Sequence, residues 1–250
     1  MFGWFKPGRA TRAIPEPLWQ DVLERHPFLA ERAGRDLPRL RELAGQFLAS
    51  KEFHGAAGFD VSDEMAVAIA AQAVLPVLHL GLAWYDDFVG IVVHAGEVLA
   101  QRTVTDEDGV VHHYDEVLAG EAMDGGPVML SWQDVEAAGD SAEQGYNVVI
   151  HEFAHKLDMR DGEPDGCPPL ANRAARQAWL AVMQAEYESF REKVIIAERF
   201  GGESTWLDPY GAQSIDEFFA VTCEAWFVNR QRFMDEFPRL TLLFERFFGL

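Results

Sequence analysis

Cysteine is scarce in this 250-residue chain: only Cys167 and Cys223 occur. Two cysteines exclude a disulfide framework. No stretch of about 18 apolar residues runs free of charge, so no transmembrane helix is expected. The opening residues Met1 to Pro7 include aromatics but lack the long apolar core of a secretory leader. Basic residues are few, 21 Lys and Arg against 41 Asp and Glu, which leaves a formal net charge of −20 at pH 7. Such a surface repels phosphate backbones and anionic membranes and favours solubility and cationic partners. Internal repeats and low-complexity tracts are also missing. What is present is globular in composition, 48% apolar and 25% charged, in a length sufficient for a sizeable core. A soluble cytoplasmic protein is the expectation.

Residues 1–14, with three basic side chains, read as a mobile tail ahead of one domain over 15–250. Pro15-Glu16-Pro17 opens a short helix through Leu18, Val22 and Leu23. A second helix is expected from about Leu37 to Ser50. A third is expected from Met65 to about Leu80, buried nearly all round and kinked or divided at Pro76. The character changes near Gly81, where this helical part of about 15–80 gives way to a part of about 81–250 expected to carry the chemistry. Phe88–His94, Val110–Tyr114 and Val128–Trp132 have the β-branched and aromatic content of strands. Helices are expected over about Ser141–Leu157, Ala171–Arg199, Ile215–Val228 and Phe237–Phe248, with a loop at Arg160–Pro169. Helices, a small sheet, then helices give an α+β class.

One motif dominates: His151-Glu152-Phe153-Ala154-His155, or H-E-x-x-H. Residues i and i+4 share one helical face, so both imidazoles reach a single metal, and neutral imidazole suits Zn²⁺. Glu152 directly follows the first histidine, the position from which a carboxylate serves as general base toward a metal-held water. The bland alternative is a solvated helix face with two unrelated histidines. Ile150 and Phe153 argue against it, because Glu and His in an apolar helix need partners.

A catalytic zinc takes three protein ligands and keeps a fourth position open. His26, His54, His79, His94, His112 and His113 show no spacing that continues the motif, and the metzincin position holds Asp161. The third ligand is therefore expected from Asp216–Glu224, where Glu217 and Glu224 share a helical face with the small Ala220 between them. The E-x-x-A form at Glu217 fits the gluzincin ligand pattern, which selects Glu217. Glu224 is the alternative third ligand; with Glu217 in that place it orients a ligand histidine or pairs with an arginine, and a surface carboxylate remains its bland alternative. Asp158 either supports the site, caps the helix end or pairs with Arg160. Tyr210 taken alone is a turn tyrosine after Pro209, although a phenol there could donate to a developing oxyanion.

Three stretches resemble the Mlc titration factor A family of zinc metallopeptidases: His151–Arg160, Gly126–Trp132, and Asp208-Pro-Tyr-Gly with Glu217–Glu224. Leu75–Trp84 is also similar, and the likeness runs from about residue 16 to the end, with the tail matching only loosely. The resemblance implies a zincin-like, mainly helical fold with a small mixed sheet and an H-E-x-x-H active-site helix. It implies one Zn²⁺ held by His151, His155 and Glu217, with Glu152 as base and Tyr210 lining the site. The Tyr-to-Glu spacing is shared with the catalytic domain of anthrax toxin lethal factor, to which the family is similar in fold. Aminopeptidase-type activity is implied, together with sequestration of the Mlc transcriptional repressor and relief of glucose phosphotransferase gene repression. The rival expectation is a repressor-binding module whose zinc site is vestigial or structural. By analogy with such peptidases, an edge strand beside the zinc, for which Val128–Trp132 is the candidate, pairs with an extended substrate.

Overall fold

The computed structural model describes residues 9–32, 34–105, 111–162 and 164–249, with the backbone alone over 100–105 and 111–117. Residues 1–8 of the expected tail, Val110 of an expected strand, Glu163 of an expected loop and the side chains of His112 and His113 lie outside the described residues. Residues 9–14 lie along the protein: the Arg12 N–H donates to Gly45 O, Ile14 is buried and Arg9 pairs with Asp86.

The chain is mainly helical, of α+β class. Four helices come first among the described residues: α1 Glu16–Arg25, α2 Pro27–Ala30, α3 Asp36–Ser50 and α4 Asp63–Ala73, with β1 Glu52–Gly55 between the last two. The apolar stripe of α3, Leu40, Leu43, Ala44 and Phe47, is fully buried. Helix α4 stops at Ala73, short of the expected Leu80. Pro76 accounts for this, since it lacks a donor and crowds the carbonyl four residues back.

The strands are β2 Gly90–His94, β3 Val98–Thr105, β4 Val111–Leu118, β5 Gly120–Ala122 and β6 Val128–Ser131. One four-stranded mixed sheet has the order β1-β2-β6-β5, with β5 antiparallel and the rest parallel. β3 and β4 form a separate hairpin. The Val128–Trp132 candidate is thus corrected. β6 lies inside the sheet, the outer edge belongs to β5, and Trp132 begins a helix capped by Ser131.

The remaining helices are α5 Trp132–Ser141, α6 Val148–Asp158, α7 Arg173–Phe200, α8 Ile215–Val228, α9 Arg230–Glu236 and α10 Pro238–Phe248. The helix expected over Ser141–Leu157 is two elements. Gly145 sits at φ 79°, a left-handed conformation that ends the first, and the Asn147 side chain caps the second by accepting from Ile150 N–H at 2.9 Å. Every residue of α8 from Phe218 to Val228 is buried, which makes it the central helix. Behind α6, the Phe153 ring lies 5.0 Å from Tyr85, 5.6 Å from Phe47 and 5.9 Å from Phe88, centroid to centroid. That cluster fixes the back of α6 and so aims its other face. No helix among the described residues is long and apolar enough to cross a membrane.

Candidate metal centre

Helix α6 packs against α8, and their alanines Ala154 and Ala220 are fully buried. This pairing brings together side chains 66 residues apart. His151 Nε2 lies 3.1 Å from Glu217 Oε2 and 3.2 Å from His155 Nε2, and His155 Nε2 lies 3.3 Å from Glu217 Oε2. Among the described residues these three form the one group of His, Cys, Asp and Glu ligand atoms close enough to hold a metal ion.

The fit can be tested on these distances. Donors bound tetrahedrally at about 2.0–2.1 Å stand roughly 3.3 Å apart, and all three edges of the triangle match. The chemistry agrees. The His151 Nδ1–H donates to Glu224 Oε1 at 2.7 Å, which leaves the Nε2 lone pair facing the cluster. Two ring nitrogens and a carboxylate oxygen then converge, an arrangement that a cation resolves.

Glu224 stays out of the triangle. Its second oxygen accepts from the Asn147 N–H, so one carboxylate fixes both the start of α6 and the ring of His151. Asparagine 147 in turn donates to Gln72 Oε1 at 2.7 Å, tying the site to α4. Asp158 accepts from the N–H groups of Gly166 and Cys167 at 2.8 and 2.7 Å, and Arg160 pairs with Asp87 instead. Asp158 therefore anchors the loop after α6, and that loop packs Gly166 on Ile215 at the start of α8.

Glu152 is 95% buried and makes no hydrogen bond to a described side chain. Burial pushes its pKa up to about 7, against the pull of His151 and His155. A Cβ at Gly120 would fall 2.5 Å from Glu152 Oε1, so the edge strand β5 lies directly on this carboxylate. Tyr210 sits in a 3₁₀ turn, Pro209–Ala212, capped by Asp208, with its ring 6.0 Å from that of His151. A cavity of about 220 Å³ is lined by Gly120, Glu152, His151, His155, Tyr210 and Glu217. A larger groove of about 590 Å³ lies between residues 11–23 and 37–42, but no histidine or cysteine lines it.

All five residues singled out in the sequence thus border one cavity. Asn147 and Gly120 were missed. The first carries a signal, a capping residue before an apolar run, whereas Gly120 carries none, because its role depends on a strand brought over from elsewhere.

The chain matches the family described as glucose-regulated metallo-peptidase M90 over residues 4–249. It is 33% identical to an uncharacterized protein of Synechocystis, with 99% of this chain and 88% of that protein aligned. It is 31% identical to Mlc titration factor A of Escherichia fergusonii, covering 100% of this chain and 92% of the relative. To Mlc titration factor A of Edwardsiella ictaluri it is 35% identical, covering 89% and 83%.

Proposed function

This chain belongs to the glucose-regulated metallo-peptidase M90 family, and on that premise we propose that it is a zinc-dependent peptidase of aminopeptidase type acting at the His151–His155–Glu217 centre. We take residues 15–250 as its single domain and the cytoplasm as its place of action. The observation that carries the reading is the near-equilateral triangle of Nε2, Nε2 and Oε2 atoms beside a buried, unpaired Glu152. Borderline-soft zinc suits a donor set of two imidazoles and one carboxylate. When bound, zinc supplies Lewis acidity that polarises a peptide carbonyl and lowers the pKa of water.

The chain's own residues do the rest. Glu152 accepts a proton from the attacking water and returns it to the leaving amine. Its apolar surroundings and Gly120 keep the carboxylate in place. The Tyr210 O–H donates a hydrogen bond to the carbonyl oxygen as that oxygen gains charge. The outer edge of β5 offers main-chain groups to an extended peptide, which makes recognition tolerant of sequence.

Relatives named Mlc titration factor A support a regulatory role in which this chain binds a repressor of the Mlc type. The rival, a binding module without catalysis, is separated by direct measurement. Purified protein should hold about one zinc per chain and release 4-nitroaniline from unblocked aminoacyl anilides, but at least about tenfold more slowly from N-acetylated ones. Metal without any hydrolysis would favour the binding module.

Tyr210→Phe refines the test. It keeps the ring and every metal ligand, so metal content and KM should change little. Turnover should fall by about 10²–10³-fold, the usual loss for one oxyanion donor. Unchanged turnover would return Tyr210 to a turn residue, and lost metal would make its role structural.

A further inference from the structure

A second cavity, of about 210 Å³, shares Gly120, His151, Glu152 and Tyr210 with the first but extends toward Tyr146 and Glu224 rather than toward His155 and Glu217. Its walls are apolar at Leu118, Val148 and Val221. Its charged lining is acidic, Glu97, Asp208 and Glu224 besides Glu152, and among the described residues no Lys or Arg borders it. We propose that this cavity is a specificity subsite for a basic side chain, lysine or arginine, on a substrate residue next to the scissile bond. The proposal rests on the peptidase reading and adds the substrate class.

Three observations carry it. The volume accommodates one long side chain, small beside a cavity for a drug-sized ligand. Its composition suits a side chain with an aliphatic stem and a cationic head, which buries the first and keeps the second among polar groups. Glu152, the base, borders this cavity as well as the first, so the scissile bond lies at its mouth and the side chain of a residue next to that bond can reach into it.

The acidic groups divide the work. The charge of Glu224 is already engaged by His151 and the Asn147 N–H, so it forms the floor. Asp208 uses Oδ1 to accept from the Tyr210 N–H and is exposed, as is Glu97. These two carboxylates are available to a cationic head. Burial, then Glu224, Asp134, Asp208 and Glu152, push the Tyr146 phenol far above its ordinary pKa, which marks the field in the cavity as negative. Arg191 and Arg199 border a different cleft, of about 430 Å³, which Asp208 and Tyr210 also line, and among the described residues neither forms an ion pair with Asp208.

The test uses the zinc-loaded full chain and short peptides with a free N-terminal amine, their cleavage followed by chromatography, that vary the two residues flanking the cleaved bond among Lys, Arg, Leu and Glu. Lys and Arg at one of the two positions should raise kcat/KM about tenfold over Leu, with Glu lowest. The double variant Glu97→Gln, Asp208→Asn should bring Lys and Arg down to the level of Leu while leaving Leu peptides within about threefold. Asn preserves the cap on Tyr210, because its side-chain oxygen accepts the same N–H. Glu97→Lys should likewise erase the preference for Lys and Arg, because it sets a cation beside Asp208. Hydrolysis without a basic preference, or a preference that survives the double variant, overturns the subsite alone. Hydrolysis of none of the peptides overturns the peptidase reading and the subsite with it.

Discussion

In the double variant His151→Ala, His155→Ala, bound metal and peptide hydrolysis are both expected to fall to background. Two of the three converging atoms are then gone, and Glu217 alone is a weak monodentate site. The loss should exceed that of either single variant, since one remaining imidazole with Glu217 still offers two donors. Fold should survive, because α6 is held from behind by Phe153 against Tyr85, Phe47 and Phe88. The His151 ring also leaves Glu224 buried with one partner fewer, a cost of about 1–3 kcal/mol for an under-satisfied buried group. Metal analysis, circular dichroism and steady-state assay on one preparation check all three statements. Metal retained by the double variant would move the site elsewhere in the chain.

Glu152→Gln should behave in the opposite way: metal stays and catalysis goes. The amide keeps the shape of the carboxylate against Gly120 and removes no member of the triangle. It cannot accept the proton of the attacking water, so turnover should drop by about 10²–10⁴-fold, which corresponds to about 3–5.5 kcal/mol of barrier. KM should change little, because proton transfer is confined to the transition state. Glu217→Ala gives the contrast, with weakened metal binding. If Glu224→Ala empties the centre and Glu217→Ala does not, the third ligand has been assigned to the wrong carboxylate.

Local patterning made the site largely readable in the sequence. H-E-x-x-H is contained in one helical turn, and Glu217, Ala220 and Glu224 lie within two turns of α8. Their meeting follows from the apolar character of both helices. The third, buried helix was visible too, although Pro76 ended it sooner than its apolar run suggested. The sheet was harder. β1, β3 and β5 went unrecognised, and β5 is only three residues, Gly-Glu-Ala, with no alternation to detect. Helix α5 has no counterpart in the sequence reading, which ends a strand at Trp132 and starts a helix at Ser141, because the polar Gln133, Asp134 and Glu136 hide the periodicity of Val135 and Ala138. Nothing in the composition of residues 118–122 indicates that they would lie on Glu152. That contact joins a sheet edge to a helix face, and pairing across such distances leaves no short-range pattern.

The close fit of Gly120 to Glu152 turns the motif helix into a gauge of strand register. β5 pairs with β6 as Gly120↔Leu130, Glu121↔Met129 and Ala122↔Val128. Three residues of ladder specify that alignment weakly. A slip of one position would bring Ala119 or Glu121 into the place of Gly120, and a slip of two would bring Leu118 or Ala122. Each of these carries a Cβ where Glu152 Oε1 already stands. Only the native pairing lets the carboxylate and the sheet edge occupy adjacent space. A molecule that folded with the hairpin misaligned would still form α6 and α8, bind metal and give a normal helical signal, yet its carboxylate would be pushed aside. Turnover per bound metal atom therefore counts the molecules whose sheet closed in register, a population that metal content and helicity leave unseparated.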